Sequence, residues 1–227
     1  MQINCAAYGC MACCKRYWIT VLPREAKKTA VFLNEPLESF LQNHCRFQLQ
    51  LFPSPKKVEN PLLVPFQQIP KEFQEKIAAQ LGKPFPYFLV LPTVVFNRKT
   101  NGSCEFLNEQ NGLCGIYPVR PGPCQLFPFI PSNHLPLHEL YPFCEFVQDK
   151  KPVGLYERNG KTQFKKTEAY FKKVEKKGFE NVWKTIPANG IVRLESRVIG
   201  KISKNSLASF LAQPLQAKTA RKAIAGP

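Results

Sequence analysis

The chain has 227 residues and a mass of 25.9 kDa, enough to bury a core without disulfide support. An apolar fraction of 44% and an aromatic fraction of 12% exclude an intrinsically disordered chain. The formal net charge of +16 is uneven, because residues 1–149 carry a net +3 and residues 150–227 a net +13. All nine cysteines precede residue 145. We therefore predict a cysteine- and proline-rich domain over residues 1–149, and a basic, mainly helical extension with a flexible tail over residues 150–227.

The hydropathy pattern predicts a cytoplasmic protein without a transmembrane segment. The longest mainly apolar run, residues 86–96, is too short to cross a bilayer and contains a proline. Residues 1–20 contain no basic segment followed by an apolar core, so we expect no secretory signal.

The first half of the chain predicts a strand followed by three helices. Residues 17–22 are rich in β-branched and aromatic side chains, which favour a strand. Pro23 suits the first turn of a helix that continues to Leu33, and a second helix is expected over residues 36–45. Residues 51–70 hold five prolines and predict an irregular loop, and a third helix over residues 71–81 ends at Gly82.

Two Asn-Gly pairs predict a small antiparallel meander in the middle of the chain. Strands are expected over residues 93–98, 103–107 and 113–117, with turns at Asn101-Gly102 and Asn111-Gly112. Asn-Gly supplies the positive φ that tight hairpins need. The fold class predicted is thus α+β: an irregular, proline-rich, metal-organised domain with this meander, followed by basic amphipathic helices.

The basic part predicts a helix over residues 161–177 that ends at Gly178. One apolar stripe is expected to be buried; its members are Phe164, Thr167, Phe171 and Val174. A shorter amphipathic helix is expected over residues 179–186, closed by Pro187.

The cysteines are the main chemical signal. Four of them fall within ten residues at the start of the chain: Cys5, Cys10, Cys13 and Cys14. Four more follow much later: Cys104, Cys114, Cys124 and Cys144. Grouped cysteines in a cytosolic chain are more often metal ligands or redox thiols than stable disulfides, since a soft cation can hold thiolates from distant segments. Cys45 stands alone and is not included in the predicted set.

The spacing of the cysteines is compatible with an iron–sulfur cluster and with zinc, and it favours the cluster. Neighbouring side chains such as Cys13 and Cys14 diverge on a helix or strand, so they suit a cluster, two nearby sites, or one ligand beside a reactive thiol. The run from Cys5 to Cys13 also has the spacing of plant-type iron–sulfur ligands.

Three motifs carry a family resemblance: Cys10-Met-Ala-Cys13-Cys14, Cys104-Glu-Phe-Leu, and Cys114-Gly-Ile-Tyr-Pro-Val-Arg-Pro-Gly-Pro-Cys124. Together they resemble the YkgJ-type cysteine-cluster family, and the segment from Cys104 to residue 129 is the most specific part of the resemblance. That family is described as a zinc- or iron-chelating CxxCxxCC domain, and the resemblance extends over residues 5–145. It implies that metal is bound by Cys10, Cys13, Cys14, Cys104, Cys114 and Cys124. We add Cys5, from its place in the opening group, and Cys144, which either completes the ligand set or is a buried structural thiol. Four residues separate Cys5 from Cys10, whereas the family pattern has two residues between the corresponding cysteines.

Two functions follow from these patterns. The first is a metal-binding protein that holds an iron–sulfur cluster or zinc, acts in electron transfer or in cluster-dependent modification of another protein, and docks an acidic protein partner through its basic helices. The second is a non-catalytic, zinc-stabilised module that binds nucleic acid through the same helices. Arg120 is expected either to offset the charge of several thiolates or to be an ordinary surface cation.

Overall fold

The computed structural model describes residues 11–60, 62–127, 139, 141–144, 147, 154–207 and 210–211, with the backbone alone for residues 154–160. The chain separates into two compact units, residues 1–45 with 95–172, and residues 46–94 with 173–227. The domain boundary predicted near residue 149 lies outside the described residues, as does the predicted flexible tail.

Helices and strands both occur in the described part of the chain, in agreement with the α+β prediction. The helices are α1 (Ala12–Arg16), α2 (Pro23–Phe32), α3 (Leu37–His44), α4 (Lys71–Leu81), α5 (Gly122–Leu126), α6 (Gly154–Lys177) and α7 (Phe179–Trp183). The strands are β1 (Thr20–Val21), β2 (Cys45–Ser54), β3 (Leu63–Pro65), β4 (Tyr87–Phe96), β5 (Asn189–Leu194) and β6 (Arg197–Ser203). No helix in these ranges is long and apolar enough to span a bilayer.

Local signals place the helices of the first half of the chain correctly. Pro23 opens α2, where its fixed φ fits the helix and its missing N–H costs nothing. Gly82 ends α4 with a φ of +65°, and its N–H donates to the Ala78 carbonyl. The predicted strand over residues 17–22 is shorter than expected, because only β1 has strand geometry.

The sheet of the second unit is larger than the sequence predicted. Its strand order is β4-β2-β5-β6, and β3 pairs with β4. β2 and β5 are parallel, with Phe47 opposite Gly190, whereas β5 and β6 are antiparallel. The expectation of an irregular loop over residues 51–70 was wrong in part, because β2 runs on to Ser54 and β3 lies within that segment. The basic extension also contains two strands that the sequence did not predict, β5 and β6.

The three-stranded meander predicted over residues 93–117 was wrong beyond its first strand. β4 ends at Phe96, and the later segments make two isolated bridges, Arg98 to Cys104 and Leu107 to Cys114. The glycines of both turns do have positive φ, +81° at Gly102 and +69° at Gly112. The asparagine side chains accept hydrogen bonds from nearby backbone N–H groups. These local hydrogen bonds give the loop backbone its partners and favour turns over a ladder of β-sheet hydrogen bonds.

The amphipathic helix α6 exists, and its buried face agrees with the predicted stripe in part. Val174 is buried as predicted, whereas Phe164 is 65% exposed. Gln163 and Tyr170, each one residue before a position of the stripe, are buried instead. In the second unit, Trp183 and Ile186 are buried as the sequence predicted.

Candidate metal centre

The opening cysteine pair lies on the single-turn helix α1. The Sγ atoms of Cys13 and Cys14 are 4.0 Å apart. Two thiolates bound to one tetrahedral ion at about 2.3 Å would lie about 3.8 Å apart. The pair is therefore spaced as two ligands of one ion would be, although its members are adjacent in sequence. Cys5 and Cys10 lie outside the described residues.

A backbone hydrogen bond joins the opening helix to the later cysteines. The N–H of Cys104 donates to the carbonyl of Cys14 at 2.8 Å, across ninety residues of chain. The thiol of Cys14 is close enough to raise the pKa of Cys104, Cys114 and Cys124 electrostatically. The structure thus brings together four of the predicted ligands: Cys14, Cys104, Cys114 and Cys124.

Burial keeps these thiols protonated when no cation is bound. Burial raises the pKa of Cys104 to about 12, and it raises the pKa of Cys114 and, further, that of Cys124. The pKa of Cys14 is raised mainly by its hydrogen bond with Cys13, and then by burial. Since burial disfavours an isolated thiolate, a cation is needed to stabilise the ionised sulfurs in this site.

Arg120 supplies positive charge to the surroundings of three of the thiols. It is only 7% exposed, and its guanidinium lies 3.7 Å from the centre of the Tyr117 ring. Its charge opposes the rise in the pKa of Cys14, Cys114 and Cys124. Arg98 acts in the same way on Cys14, while its guanidinium donates to the carbonyl of Lys15. Arg120 therefore lies where a residue that offsets thiolate charge is needed.

The thiols border a mainly apolar cavity of about 280 Å³. Its sulfur-bearing and aromatic walls are formed by Cys13, Cys14, Cys114, Cys124, Tyr17, Trp18, Tyr117 and Phe127. Within the described ranges, no group of three or more His, Cys, Asp or Glu side chains already has the spacing of a formed metal site. The donors present are all sulfur, which suits zinc or iron–sulfur chemistry and not a hard cation such as Mg²⁺.

Cys144 and Cys45 differ from the other cysteines in their placement. Cys144 is buried, and its N–H donates to the Tyr141 carbonyl at 2.9 Å. Next to it, Phe143 stacks on Phe127, a cavity wall, with ring centres 6.0 Å apart. Cys144 therefore directly follows a residue that stacks on a wall of the cavity. It is not itself among the described residues that line the cavity. Cys45 is buried at the start of β2.

Sequence reasoning missed Glu25, which fixes the turn that carries Cys124. One carboxylate oxygen of Glu25 accepts the N–H of Leu22 at 2.9 Å, and the other accepts the N–H of Gly122 at 2.8 Å. The side-chain amide of Gln163 donates to that second oxygen at 3.4 Å. Glu25 therefore connects the start of α2 to the start of α5, two residues before Cys124. The sequence signal was only a glutamate in the first turn of α2.

We expect Glu25→Ala to lower metal affinity tenfold or more and the unfolding free energy by about 2 kcal/mol, because it leaves the N–H groups of Leu22 and Gly122 without their acceptor. Glu25→Gln keeps one acceptor oxygen and should recover part of both losses. Glu38→Ala removes an exposed carboxylate of α3 and serves as the control. Metal titration and chemical denaturation of the three variants measure the effects. Equal metal affinity in Glu25→Ala and Glu38→Ala would show that Glu25 does not position Cys124.

A second unpredicted feature is a histidine held between two carboxylates beside Cys104. His44 Nδ1 lies 2.6 Å from Glu105 Oε1, and its Nε2 lies 3.0 Å from Glu35 Oε1. Burial alone would lower the pKa of His44, but the hydrogen bonds to the two carboxylates outweigh it and raise the pKa. This group ties the end of α3 to the residue that follows Cys104. Its members are up to 70 residues apart, and no motif in the sequence joins them.

The comparisons with known proteins agree with the sulfur-rich site. A family model described as CxxCxxCC, putative zinc- or iron-chelating domain, matches residues 4–145, more than half of the chain. The predicted resemblance to the cysteine-cluster family is thereby confirmed. No curated protein and no solved structure matches the chain.

Proposed function

Since the chain belongs to the CxxCxxCC family of putative zinc- or iron-chelating domains and is a metal-binding protein, we propose that its metal is an iron–sulfur cluster, with zinc as the other candidate. The ligands come from Cys13, Cys14, Cys104, Cys114 and Cys124, together with Cys5, Cys10 and Cys144. The protein works in the cytoplasm, where such thiols stay reduced.

The number of thiols around the cavity is the observation that carries this proposal. One tetrahedral zinc ion takes four ligands, and five described cysteines lie in or beside this site. The fifth cysteine exceeds the needs of one zinc ion and favours a centre with more than one metal atom, or a metal beside a free thiol. The apolar walls formed by Tyr17, Trp18 and Phe127 would also limit the access of water, which is one way in which proteins control a cluster.

Bound there, a cluster would supply one-electron chemistry, either for electron transfer or for modification of another protein. The chain's own contributions are separate from that chemistry. Arg120 and Arg98 oppose the build-up of negative charge on the sulfurs, and Glu25 and its hydrogen bonds hold the Cys124 turn in place.

Metal and sulfide analysis of protein purified without oxygen tests the identity of the metal. We expect iron and acid-labile sulfide in similar amounts, a brown colour, and visible absorption that is lost on exposure to air. Cys45→Ala should keep all these properties and is the control for thiol loss. Colourless protein with stoichiometric zinc and no sulfide would exclude the cluster and leave the zinc proposal.

The partner proposed for the cluster protein is an acidic protein that docks on α6. Several lysines of this helix are exposed, among them Lys161, Lys165 and Lys166, and the acidic Glu168 is already paired with Lys172 at 2.7 Å. Such a face attracts an acidic surface and speeds encounter with it.

Exposure of Phe164 favours the second candidate, a zinc-stabilised module that binds nucleic acid. An exposed aromatic ring among lysines can stack on an unpaired base while the lysines contact phosphates. Phe164→Ala should then weaken binding to single-stranded nucleic acid about tenfold, and binding should fall steeply with salt. Phe171→Ala, a partly buried position of the same helix, is the comparison. Salt-independent binding that is unchanged in Phe164→Ala would remove this candidate.

A further inference from the structure

The corner between α2 and α3 exposes apolar side chains at three positions of one unit. Val31 is 71% exposed, Phe32 45% and Leu37 37%. The two helices are joined by a tight turn in which Asn34 has a φ of +56°. Apolar side chains exposed together on a surface mark a site of contact with a protein or a membrane more often than single ones do.

The same side of α2 carries three exposed cations. Arg24, Lys27 and Lys28 precede Val31 at spacings of seven, four and three residues, which places all four on one helix face. In the part of the chain that the structure describes, none of these cations is within ion-pair distance of an acidic side chain. The nearest acids in sequence, Glu25 and Glu35, are hydrogen-bonded to Gly122 and His44.

We propose that this corner is a docking surface for an anionic lipid membrane, with the cations at the phosphate level and the apolar side chains inserted into the interface. The charge excludes a second copy of this chain as the occupant, since two such faces would bring six cations together. A side chain exposed as fully as Val31 stands out from the surface. A bilayer interface accepts such a protrusion without a matching shape, whereas a protein partner must supply a pocket for it.

The proposal is independent of the metal centre, because the corner residues are neither cysteines nor among those that line the cavity. It also differs from the α6 surface considered for a protein or nucleic-acid partner. Each of the three cations should add about fivefold to the affinity for an anionic surface, and the apolar residues should make part of the binding resistant to salt.

Co-sedimentation of the full chain with vesicles tests this surface. Vesicles of phosphatidylcholine alone are compared with vesicles that contain about a third phosphatidylserine, at about 0.1 M salt. We expect binding to the anionic vesicles, and a loss of about a hundredfold in the Arg24→Gln/Lys27→Gln/Lys28→Gln variant. Val31→Ser/Phe32→Ser should lose about tenfold while the net charge stays the same. Glu38→Gln, which removes an exposed acid beside Leu37, should strengthen binding.

A variant with the same loss of charge elsewhere is the matched control. Lys161→Gln/Lys165→Gln/Lys166→Gln changes α6 and leaves the corner intact, so it should lose less than about fivefold. Equal losses in the two triple variants would mean diffuse attraction of a basic protein and would overturn the proposal. The absence of binding to anionic vesicles would overturn it too, as would loss of nucleic-acid binding in the α2 variant with unchanged vesicle binding. Unchanged metal content and thermal unfolding in each variant verify that the fold is intact.

Discussion

Replacing Cys124 by alanine is expected to remove most of the bound metal, whereas replacing Cys45 by alanine leaves the metal content unchanged. Burial raises the pKa of Cys124 well above that of an ordinary thiol, and Cys104, Cys14 and Cys114 raise it further. It therefore lies within electrostatic range of three other predicted ligands, and its loss leaves the centre one donor short. Cys45 is buried, and after burial it is Glu105 and not another thiol that raises its pKa.

The two alanine variants also differ in stability for a physical reason. Each loses one sulfur that is at least half-buried, which costs about 1–2 kcal/mol in packing. Only Cys124→Ala should in addition lose the folding free energy that a structural metal supplies, which is several kcal/mol. Metal analysis and denaturation of both variants, with Cys114→Ala at a second half-buried predicted ligand as a third, separate the two effects. Equal metal content in Cys124→Ala and Cys45→Ala would contradict the assignment of Cys124 as a ligand.

Metal affinity is expected to rise steeply with pH because binding must release protons. The pKa of Cys104 is about 12, and the pKa values of Cys14, Cys114 and Cys124 are raised as well. All four thiols are thus protonated at pH 7 without metal, and a metal ion binds thiolates. Each proton released makes the affinity about tenfold higher for every unit of pH. Release of three or four protons would raise it about a thousandfold or more between pH 7 and pH 8.

Calorimetric titration of the reduced, metal-free protein with Zn²⁺ measures this proton release directly. Two buffers with different ionisation enthalpies at one pH give the number of protons. Cys45→Ala should release the same number, because its raised pKa plays no part in binding. A release near zero, or an affinity that does not change with pH, would show that the thiols are not the ligands.

Features set by neighbouring residues could be predicted from the sequence. α2 begins at Pro23, and Gly82 caps the end of α4. Each of these residues acts through its own backbone preference. Gly102 and Gly112 have the positive φ that their Asn-Gly turns require. The grouping of the cysteines also depends on local spacing, and it identified the correct family.

Features that depend on distant partners could not be predicted in this way. β2 alternates Phe47, Leu49 and Leu51 with glutamines, a period that favours a strand, but the many prolines of the next segment concealed it. Its parallel partner β5 lies more than 140 residues away, and Gly190 is needed there because any Cβ would come within 2.2 Å of the Phe47 ring. The exposure of Phe164 also depends on a distant partner, because Gln163 and not Phe164 is hydrogen-bonded to Glu25.

The environment of the thiols is likewise a tertiary property. Glu25, His44 and Arg98 act on the site through contacts with residues far away in the chain. Nothing in their local sequence separates them from ordinary surface residues. Arg120 was an exception, because the Arg-Pro-Gly-Pro turn before Cys124 made it a candidate without a structure.

Anomalous X-ray diffraction from crystals of the anaerobically purified protein, recorded at the iron and zinc absorption edges, tests the central claim most directly. The claim predicts metal inside the cavity, about 2.3 Å from sulfurs of both segments: Cys13 or Cys14 on α1, and Cys104, Cys114 or Cys124. Metal held by sulfurs of only one of the two segments, or located away from the cavity, would contradict it.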